Sequence, residues 1–272
     1  FGAAEQSTRL VGADKRGTSV GRMPLELPDV TVVVIDAVAH DLTCLALEDT
    51  LREITPALIC IWSNDVRVVP ATSVPIHYVR AAPRSLEEVG RLLWYDVPRL
   101  VETSHALFVQ WDGWPINGSI WDSRWLNFDF IGAPWGWHGD GLEVGNGGFS
   151  LRSRRLMRRV AELPRTYWLG APEDAVLCRV HRPRLEQLGF RWASVEEAER
   201  FAFERAAPRP SFGFHGAWNF PSVLNRDRLL RRLDLANNYV RGKTEWRQLW
   251  SAARPVLGSV PLSSPATAIP SS

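Results

Sequence analysis

No stretch of this 272-residue chain is apolar over the roughly 20 positions that a membrane-crossing helix needs. Residues Phe1 to Gly21 lack the apolar centre of a signal peptide. Cysteine is scarce: Cys44, Cys60 and Cys178 stand far apart, with no CxxC or Cys/His spacing, which excludes a zinc site or a disulfide framework built on sequence-local ligands. The odd, scattered count suits reduced thiols in a cytoplasm. An excess of one charge is also missing. Lys and Arg number 32 against 30 Asp and Glu, a formal net charge of +2, which argues against bulk nucleic-acid binding.

What the chain does have is apolar mass and tryptophan. Hydrophobic residues make up 45% of it, enough for a full core. Thirteen residues are tryptophan, and Trp111, Trp114, Trp121, Trp125, Trp135 and Trp137 crowd one segment rich in Gly, Pro and Asp. Core packing accounts for most of them, but aromatics in a loop-rich segment also line ligand pockets. Residues 1–24 are expected to be a flexible leader or cloning remnant. The tail 257–272, rich in Ser, Pro and Ala, is expected to be disordered. That leaves 25–256 as a single domain, with neither an internal repeat nor a linker inside it.

The order of elements predicts an α/β fold with a mostly parallel central sheet flanked by helices. Thr31 to Ile35 (TVVVI) has the continuous β-branched character of a strand buried on both faces. Leu42, Leu45, Leu51 and Ile54 give helical spacing over His40 to Ile54. Ala57–Trp62, Ile76–Val79 and His105–Gln110 read as further strands. A helix starting at Ser85, with Glu88 in the capping-box position, runs to about Leu100 and is bent by Pro98. Later elements are shorter: a strand from Phe149 into Arg152, helices over Arg154–Leu163 and Pro172–Gln187, a strand at Phe190–Ala193, and helices over Glu196–Phe203, Asn225–Asn238 and Thr244–Ala253.

In such sheets ligands bind beyond the carboxyl ends of the strands. Asp36 follows the first strand, Ser63, Asn64 and Asp65 the second, and Asp112 the fourth. Each alone fits an ordinary turn residue; together they fit a nucleotide cleft. A carboxylate at Asp112 could also hold Mn2+ or Mg2+ against a diphosphate.

The segment Val144-Gly145-Asn146-Gly147-Gly148-Phe149-Ser150-Leu151-Arg152-Ser153 is the most distinctive in the chain. Three glycines in four positions pack nothing themselves, and they let the backbone bend or another group come close. Glu173-Asp174 follows about twenty residues on. Two accounts fit that pair. It supplies negative charge to a helix N-terminus, or it is a general base beside a sugar pocket. His215 fits either a packed core histidine or a group serving a metal or diphosphate. The basic run Arg152, Arg154, Arg155, Arg158, Arg159, echoed by Arg226, Arg228, Arg231 and Arg232, fits solvated helix faces or a surface for anionic lipid.

Taken in order, QWDG (110–113), FDFIGAPW (128–135), GNGGFSLRS (145–153), PED (172–174) and FGFHG (212–216) resemble a family of bacterial glycosyltransferase-like proteins long catalogued as a domain of unknown function. That family is itself similar to GT-A glycosyltransferases. The resemblance covers roughly Val30 to Phe220. It implies a GT-A-like, Rossmann-like domain that moves a sugar from a nucleoside-diphosphate donor, UDP-sugar being favoured, to a hydroxyl of a glycan or lipid-linked acceptor. It implies inversion by a carboxylate base, Asp174, with Glu173 orienting the acceptor or capping the helix. Asp122, Asp129 and Asp140 are the next candidates for that base. Asp36, Asn64, Asp112, Arg152 and His215 are implied on the donor side, and Gly147, Gly148 and Trp135 on the acceptor side. Asp112 and His215 would hold the metal. The metal-binding Asp-x-Asp motif of GT-A enzymes is incomplete, because Gln110 stands at its first position. Two other functions remain compatible: a carbohydrate-binding module without catalysis, and a nucleotide-sugar hydrolase. The expected setting is the cytoplasm, at the inner face of a membrane touched through the Arg-rich helices.

Overall fold

In the computed structural model, which describes residues 23–163, 172–240 and 244–257, the first apolar run forms the centre of a sheet. Strand β1 (Leu25–Asp36) pairs in parallel with β2 (Ile54–Ser63) on one side and with β4 (His105–Phe108) on the other. Strand β3 (Ile76–Arg80) adds in parallel beyond β2. Beyond β4 lie β6 (Ser150–Ser153) and β5 (Phe130–Gly132), giving the order β3-β2-β1-β4-β6-β5. Only β6 runs against the rest. The sheet is therefore mostly parallel, and its inner strands are buried on both faces, as the unbroken Val/Ile run requires.

Alternation along β1 distributes side chains to two cores. Val32 and Val34 join Ile59, Ile61 and Leu107 in one core, with Leu42 and Ala46 of helix α1 (His40–Glu53). Val33 joins Cys60, Trp62, Phe108 and Met157 in the other, against Val97 and Val101. That second face is covered by α2 (Leu86–Arg91), which continues through a π turn (Leu92–Asp96) into α3 (Val97–Leu100), and by α4 (Arg154–Ala161). The expected helix from Ser85 is present, and the Ser85 hydroxyl accepts from Glu88 N at 3.2 Å. The widened turn falls just before Pro98, whose missing N–H and ring cannot be fitted to a regular α-turn.

The same device recurs in the helix expected over Pro172–Gln187. It is divided into α5 (Glu173–Ala175), a π turn (Val176–His181) and α6 (Arg182–Gln187), with Pro183 just past the wide turn. Helix α7 (Val195–Phe201) stops two residues short of the expected Phe203. Ala202–Phe203 instead become β7, paired in parallel with β8 (Gly213–Phe214). The expected strand at Phe190–Ala193 is an isolated bridge to β5: Arg191 O accepts from Asp129 N at 2.6 Å, and Ala193 N donates to Phe130 O at 3.0 Å. Helices α8 (Phe220–Val223), α9 (Arg226–Val240) and α10 (Thr244–Leu257) complete the chain. The expectations for residues 1–22 and for the tail beyond 257 lie outside the described residues.

The segment between β4 and β6 has little regular structure and is held by its aromatics. Trp114 and Trp125 are fully buried and Trp121 half-buried, and they meet Phe201, Phe212, Phe214 and Phe220 mostly edge to face at 4.6–5.8 Å between ring centroids. Trp125 Nε1 donates to Glu197 at 2.8 Å. These rings are core, and their number reflects a long loop that must be anchored without a ladder of backbone bonds. No helix among the described residues is long and apolar enough to cross a membrane.

Candidate functional site

The parallel pairing of β7 and β8 places Phe203 opposite Phe214, so the next residues, Glu204 and His215, emerge side by side. Glu204 Oε1 lies 3.4 Å from His215 Nδ1. On the other side of the ring, His215 Nε2 lies 3.6 Å from Oδ1 of Asp112, which follows β4. The Asp112 carbonyl accepts from Gly216 N at 2.8 Å, which ties the two loops together. Three buried atoms of this cluster have no hydrogen-bond partner: Asp112 Oδ1, His215 Nε2 and Glu204 Oε2. Unsatisfied buried groups are costly, and Asp112 Oδ1 and His215 Nε2, 3.6 Å apart, are placed so that an ion or polar group could bond to both.

Asn146 of the glycine segment reaches the same imidazole nitrogen as Glu204. Its φ of 70° is left-handed, a region that asparagine tolerates better than most residues. Its Oδ1 accepts from Gly148 N at 2.9 Å and from Phe149 N at 3.3 Å. The amide NH2 is thereby turned toward His215 Nδ1, 3.0 Å away. Burial works against a charge on His215, but the carboxylates of Asp112, Glu204 and Asp174 prevail and hold its pKa above the ordinary value. Burial pushes the Asp112 carboxyl up, with His215 partly offsetting it. For Glu204 burial also pushes upward, but the bond to His215 and its charge outweigh that and lower the pKa.

A cavity of about 220 Å3 opens beside this cluster. Its floor is Val33, Ile35, Phe108 and Val109 at the carboxyl ends of β1 and β4, and its side is α2. Gln110, Gly147, Gly148, Glu173, Asp174 and His215 supply its polar rim. The glycine segment and the acidic pair, far apart in sequence, meet here: Asp174 Oδ2 accepts from Gly147 N at 2.9 Å. Asp174 Oδ1 accepts from Ala175 N at 2.8 Å within the first turn of α5, whose start carries no side-chain cap from Glu173 or from any other residue. Glu173 instead pairs with Arg152, whose guanidinium lies 4.2 Å from the centroid of Phe108 and 5.3 Å from that of Phe130. Burial raises the Glu173 pKa, Arg152 lowers it, and Asp174 adds to the rise.

The glycines are explained by their neighbours. A Cβ on Gly148 would sit 2.0 Å from His215 Nε2, and one on Gly147 would sit 2.9 Å from Glu173 Oε2. The absent side chains make room for the histidine and the acidic pair, and both backbones still border the cavity.

Several expected site residues are placed elsewhere. Trp135 is buried against Gly145, where a Cβ would meet the indole at 2.2 Å, and it does not border the cavity. Asp36 spends its oxygens on Val38 N, Ala39 N and His40 Nδ1 at the start of α1, and Asn64 is exposed at the end of β2; neither borders the cavity. Arg152 does not stand free for a diphosphate, because its guanidinium neutralises buried Glu173 and its Nε donates to Ser150 Oγ. Among the reserve bases, Asp129 accepts from Ser153, Arg155 and Arg191 N, Asp122 from Arg124, and Asp140 from Arg179.

In the basic runs Arg152 and Arg232 are buried, while Arg155, Arg158, Arg226 and Arg231 are exposed. Arg155 holds Asp129, while Arg228 and Arg232 hold Asp49. Burial lowers the Arg232 pKa to about 10. The three cysteines are free, and burial raises the Cys60 thiol to about 11.

Sequence reasoning missed Glu204 and Asn146. A signal for Glu204 exists: Phe201-Ala202-Phe203-Glu204 repeats the pattern of Phe212-Gly213-Phe214-His215, and the two segments are the paired strands.

A family described as a protein of unknown function (DUF5672) matches residues 89–215. That stretch contains Asp112, Asn146–Gly148, Glu173, Asp174, Glu204 and His215. No curated protein matches the chain. Among solved structures, the mannosyltransferase PcManGT from Pyrobaculum calidifontis, in complex with GDP-Man and Mn2+, aligns over 86% of this chain and 77% of its own, with a TM-score of 0.43 and 11% identity.

Proposed function

We propose that this protein is a glycosyltransferase that moves a sugar from a nucleoside-diphosphate sugar to an acceptor hydroxyl. One observation carries the proposal. His215, with Nε2 3.6 Å from Asp112 Oδ1, lies against Gly148, and the acidic pair Glu173–Asp174 lies against Gly147; His215 and the pair line the cavity, and Asp112 does not. A transfer of this kind needs positive charge for the departing diphosphate and a carboxylate to take the acceptor proton. The cavity at the carboxyl ends of a mostly parallel sheet supplies the place.

Among the described residues no group of three or more His, Cys, Asp or Glu is arranged around a metal site. Two ligands nevertheless fit Mn2+ or Mg2+, which often keep several waters and are completed by substrate phosphates. Asp112 and His215 would hold such an ion, and it would neutralise diphosphate charge. Ligation through Nε2 would require Nδ1 to carry the proton and donate it to Glu204, the Asn146 NH2 beside it then making no hydrogen bond to the ring. Without the ion, a protonated His215 would face the diphosphate directly.

In this scheme Asp174 is the base. The Gly147 N–H bond holds one of its oxygens in place, while lone pairs remain on both. Glu173 positions the loop through Arg152. The Trp-rich segment is scaffold rather than acceptor contact, except at the exposed Trp137.

A thermal-shift panel of UDP-, GDP-, CMP- and dTDP-sugars, each with and without Mn2+, tests the proposal. A ligand that binds only the folded state raises Tm by mass action. A shift with one nucleotide class is expected, UDP-sugar first. No shift with any donor at millimolar concentration would remove the donor site and with it the transferase.

A further inference from the structure

Among the aromatic side chains the structure describes, Trp137 is the one that is exposed, with 56% of its surface open to solvent. It stands on the loop 135–144, which is closed at its base by the bridge between Pro134 and Val144 and by Trp135 N donating to Glu143 O at 2.7 Å. Gly136, Gly139 and Gly141 of this loop have open space where a side chain would be. The Trp137 ring lies 6.4 Å from Trp135 and 5.7 Å from His138 of the same loop, and most of its surface stays open. Its apolar face in water is a cost that binding would remove.

The indole is not isolated. The Arg205 guanidinium lies 5.9 Å from the Trp137 centroid and 4.3 Å from that of Trp218. Arg205 is exposed and makes no salt bridge among the described residues. Trp218 is anchored by Nε1 donating to Glu204 O at 3.1 Å, and its ring fills the space a Cβ on Gly216 would take. Every support of this group is one residue from a contact to His215. Arg205 follows Glu204. Trp218 packs on Gly216, which follows His215. Trp135, at the root of the loop, packs on Gly145, which precedes Asn146.

We propose that Trp137, Arg205 and Trp218 form a saccharide-binding platform, with one sugar ring stacked on the Trp137 face and its hydroxyls hydrogen-bonded by Arg205. Sugars present flat faces of C–H groups that match an indole, and hydroxyls that match a guanidinium fork. The assignment of this saccharide as the acceptor rests on the transferase proposal; the binding itself does not. The platform also answers to a physical need. The acceptor must be held close to the centre by contacts away from the reacting atoms, so that binding energy there orients the hydroxyl.

The test is a microarray of neutral oligosaccharides probed with the wild-type protein, Trp137→Ala, Trp137→Phe and Arg205→Ala, followed by calorimetric titration with the best-bound glycan. Vesicles of phosphatidylcholine and phosphatidylglycerol form a parallel arm. Expected are glycan binding by wild type, about tenfold or greater loss in Trp137→Ala at unchanged Tm, a weaker loss in Arg205→Ala, and recovery in Trp137→Phe. No glycan bound by wild type, equal binding by Trp137→Ala, or Trp137-dependent vesicle binding without glycan binding would each overturn the platform. Titration of the wild type with nucleoside diphosphates is scored separately. Glycan binding without nucleotide binding sinks the transferase and keeps the platform; nucleotide binding without glycan binding does the reverse.

Discussion

Gly148 lies directly against the His215 imidazole, so closely that a Cβ on the glycine would be 2.0 Å from Nε2 and 2.4 Å from Cδ2. The glycine is thus a requirement of the histidine. Gly148→Ala must push the ring away from Asp112 or move the loop that Asn146 holds. The expected result is a loss of donor binding, with overpacking costing about 1–3 kcal/mol of stability. A crystal structure of the variant with His215 unmoved and donor affinity intact would show that the contact is incidental.

Asp112 and His215 face each other through unpartnered atoms, so changing one should expose the function of the pair. Asp112→Asn keeps the shape and removes the charge. If a cation bridges this pair and a diphosphate, nucleotide affinity should fall in the variant, and Mn2+ should no longer enhance it. Calorimetric titration of wild type and variant, with Mn2+ and with chelator, measures this. Equal affinity in all four conditions would take Asp112 out of the donor site. His215→Ala should lower turnover with any donor, and a fully active variant would return His215 to a packing role.

The sheet and the position of Asp112 were legible because each depends on one local signal. Thr31–Ile35 is a run that only a strand buried on both faces can use, and Asp112 follows the next strand to join it. Glu204 was hidden because its significance arises only when β7 pairs with β8, a contact between two-residue strands that no periodicity announces. Trp135 was misplaced for the converse reason. The glycine that receives it, Gly145, looks in sequence like part of a ligand loop, and only the fold shows an indole occupying the space. The arginines followed the same logic. Arg152 and Arg232 lie in basic runs that suggest a surface, yet each neutralises a buried carboxylate, Glu173 and Asp49.

His105 provides a pH prediction away from the site. It is buried at the start of β4, with Nδ1 2.9 Å from Ser104 Oγ and Nε2 3.0 Å from Phe128 O. Burial lowers its pKa from the ordinary 6.5, although the Phe128 carbonyl and nearby carboxylates oppose the shift. The unfolded chain therefore takes up this proton first as pH falls. The contribution to stability is complete above pH 6.5 and is lost as pH drops through 6.5 toward the folded-state value. Wild-type Tm should fall more steeply between pH 7.5 and 5.5 than that of His105→Gln, which keeps a donor for Phe128 O but cannot titrate. His181, also lowered by burial, is common to both proteins and cancels in the comparison. Parallel Tm profiles would show that His105 is not the group responsible.

The acidic pair separates catalysis from architecture. Glu173 and Arg152 are both nearly buried, with side chains 11% and 4% exposed. Removing one partner of such a pair leaves the other charge uncompensated and typically costs about 3–5 kcal/mol, against roughly 0–1 for an exposed pair. Glu173→Gln should therefore unfold at a clearly lower temperature. Asp174 makes two bonds to backbone N–H groups, which Asn can accept through its one carbonyl oxygen only in part, so Asp174→Asn should lose less stability. A general base contributes about 10²–10⁴-fold in rate. Asp174→Asn should lower turnover by that factor while donor binding stays near normal, because the base meets the acceptor and not the nucleotide. The measurements are Tm, donor affinity and single-turnover transfer for both variants. If Asp174→Asn transfers at the wild-type rate while folded Glu173→Gln is inactive, Glu173 is the base and its pairing with Arg152 tunes it. If both retain full rates, the pair serves only to dock the glycine loop on α5, and the proton must leave by another group on the cavity rim.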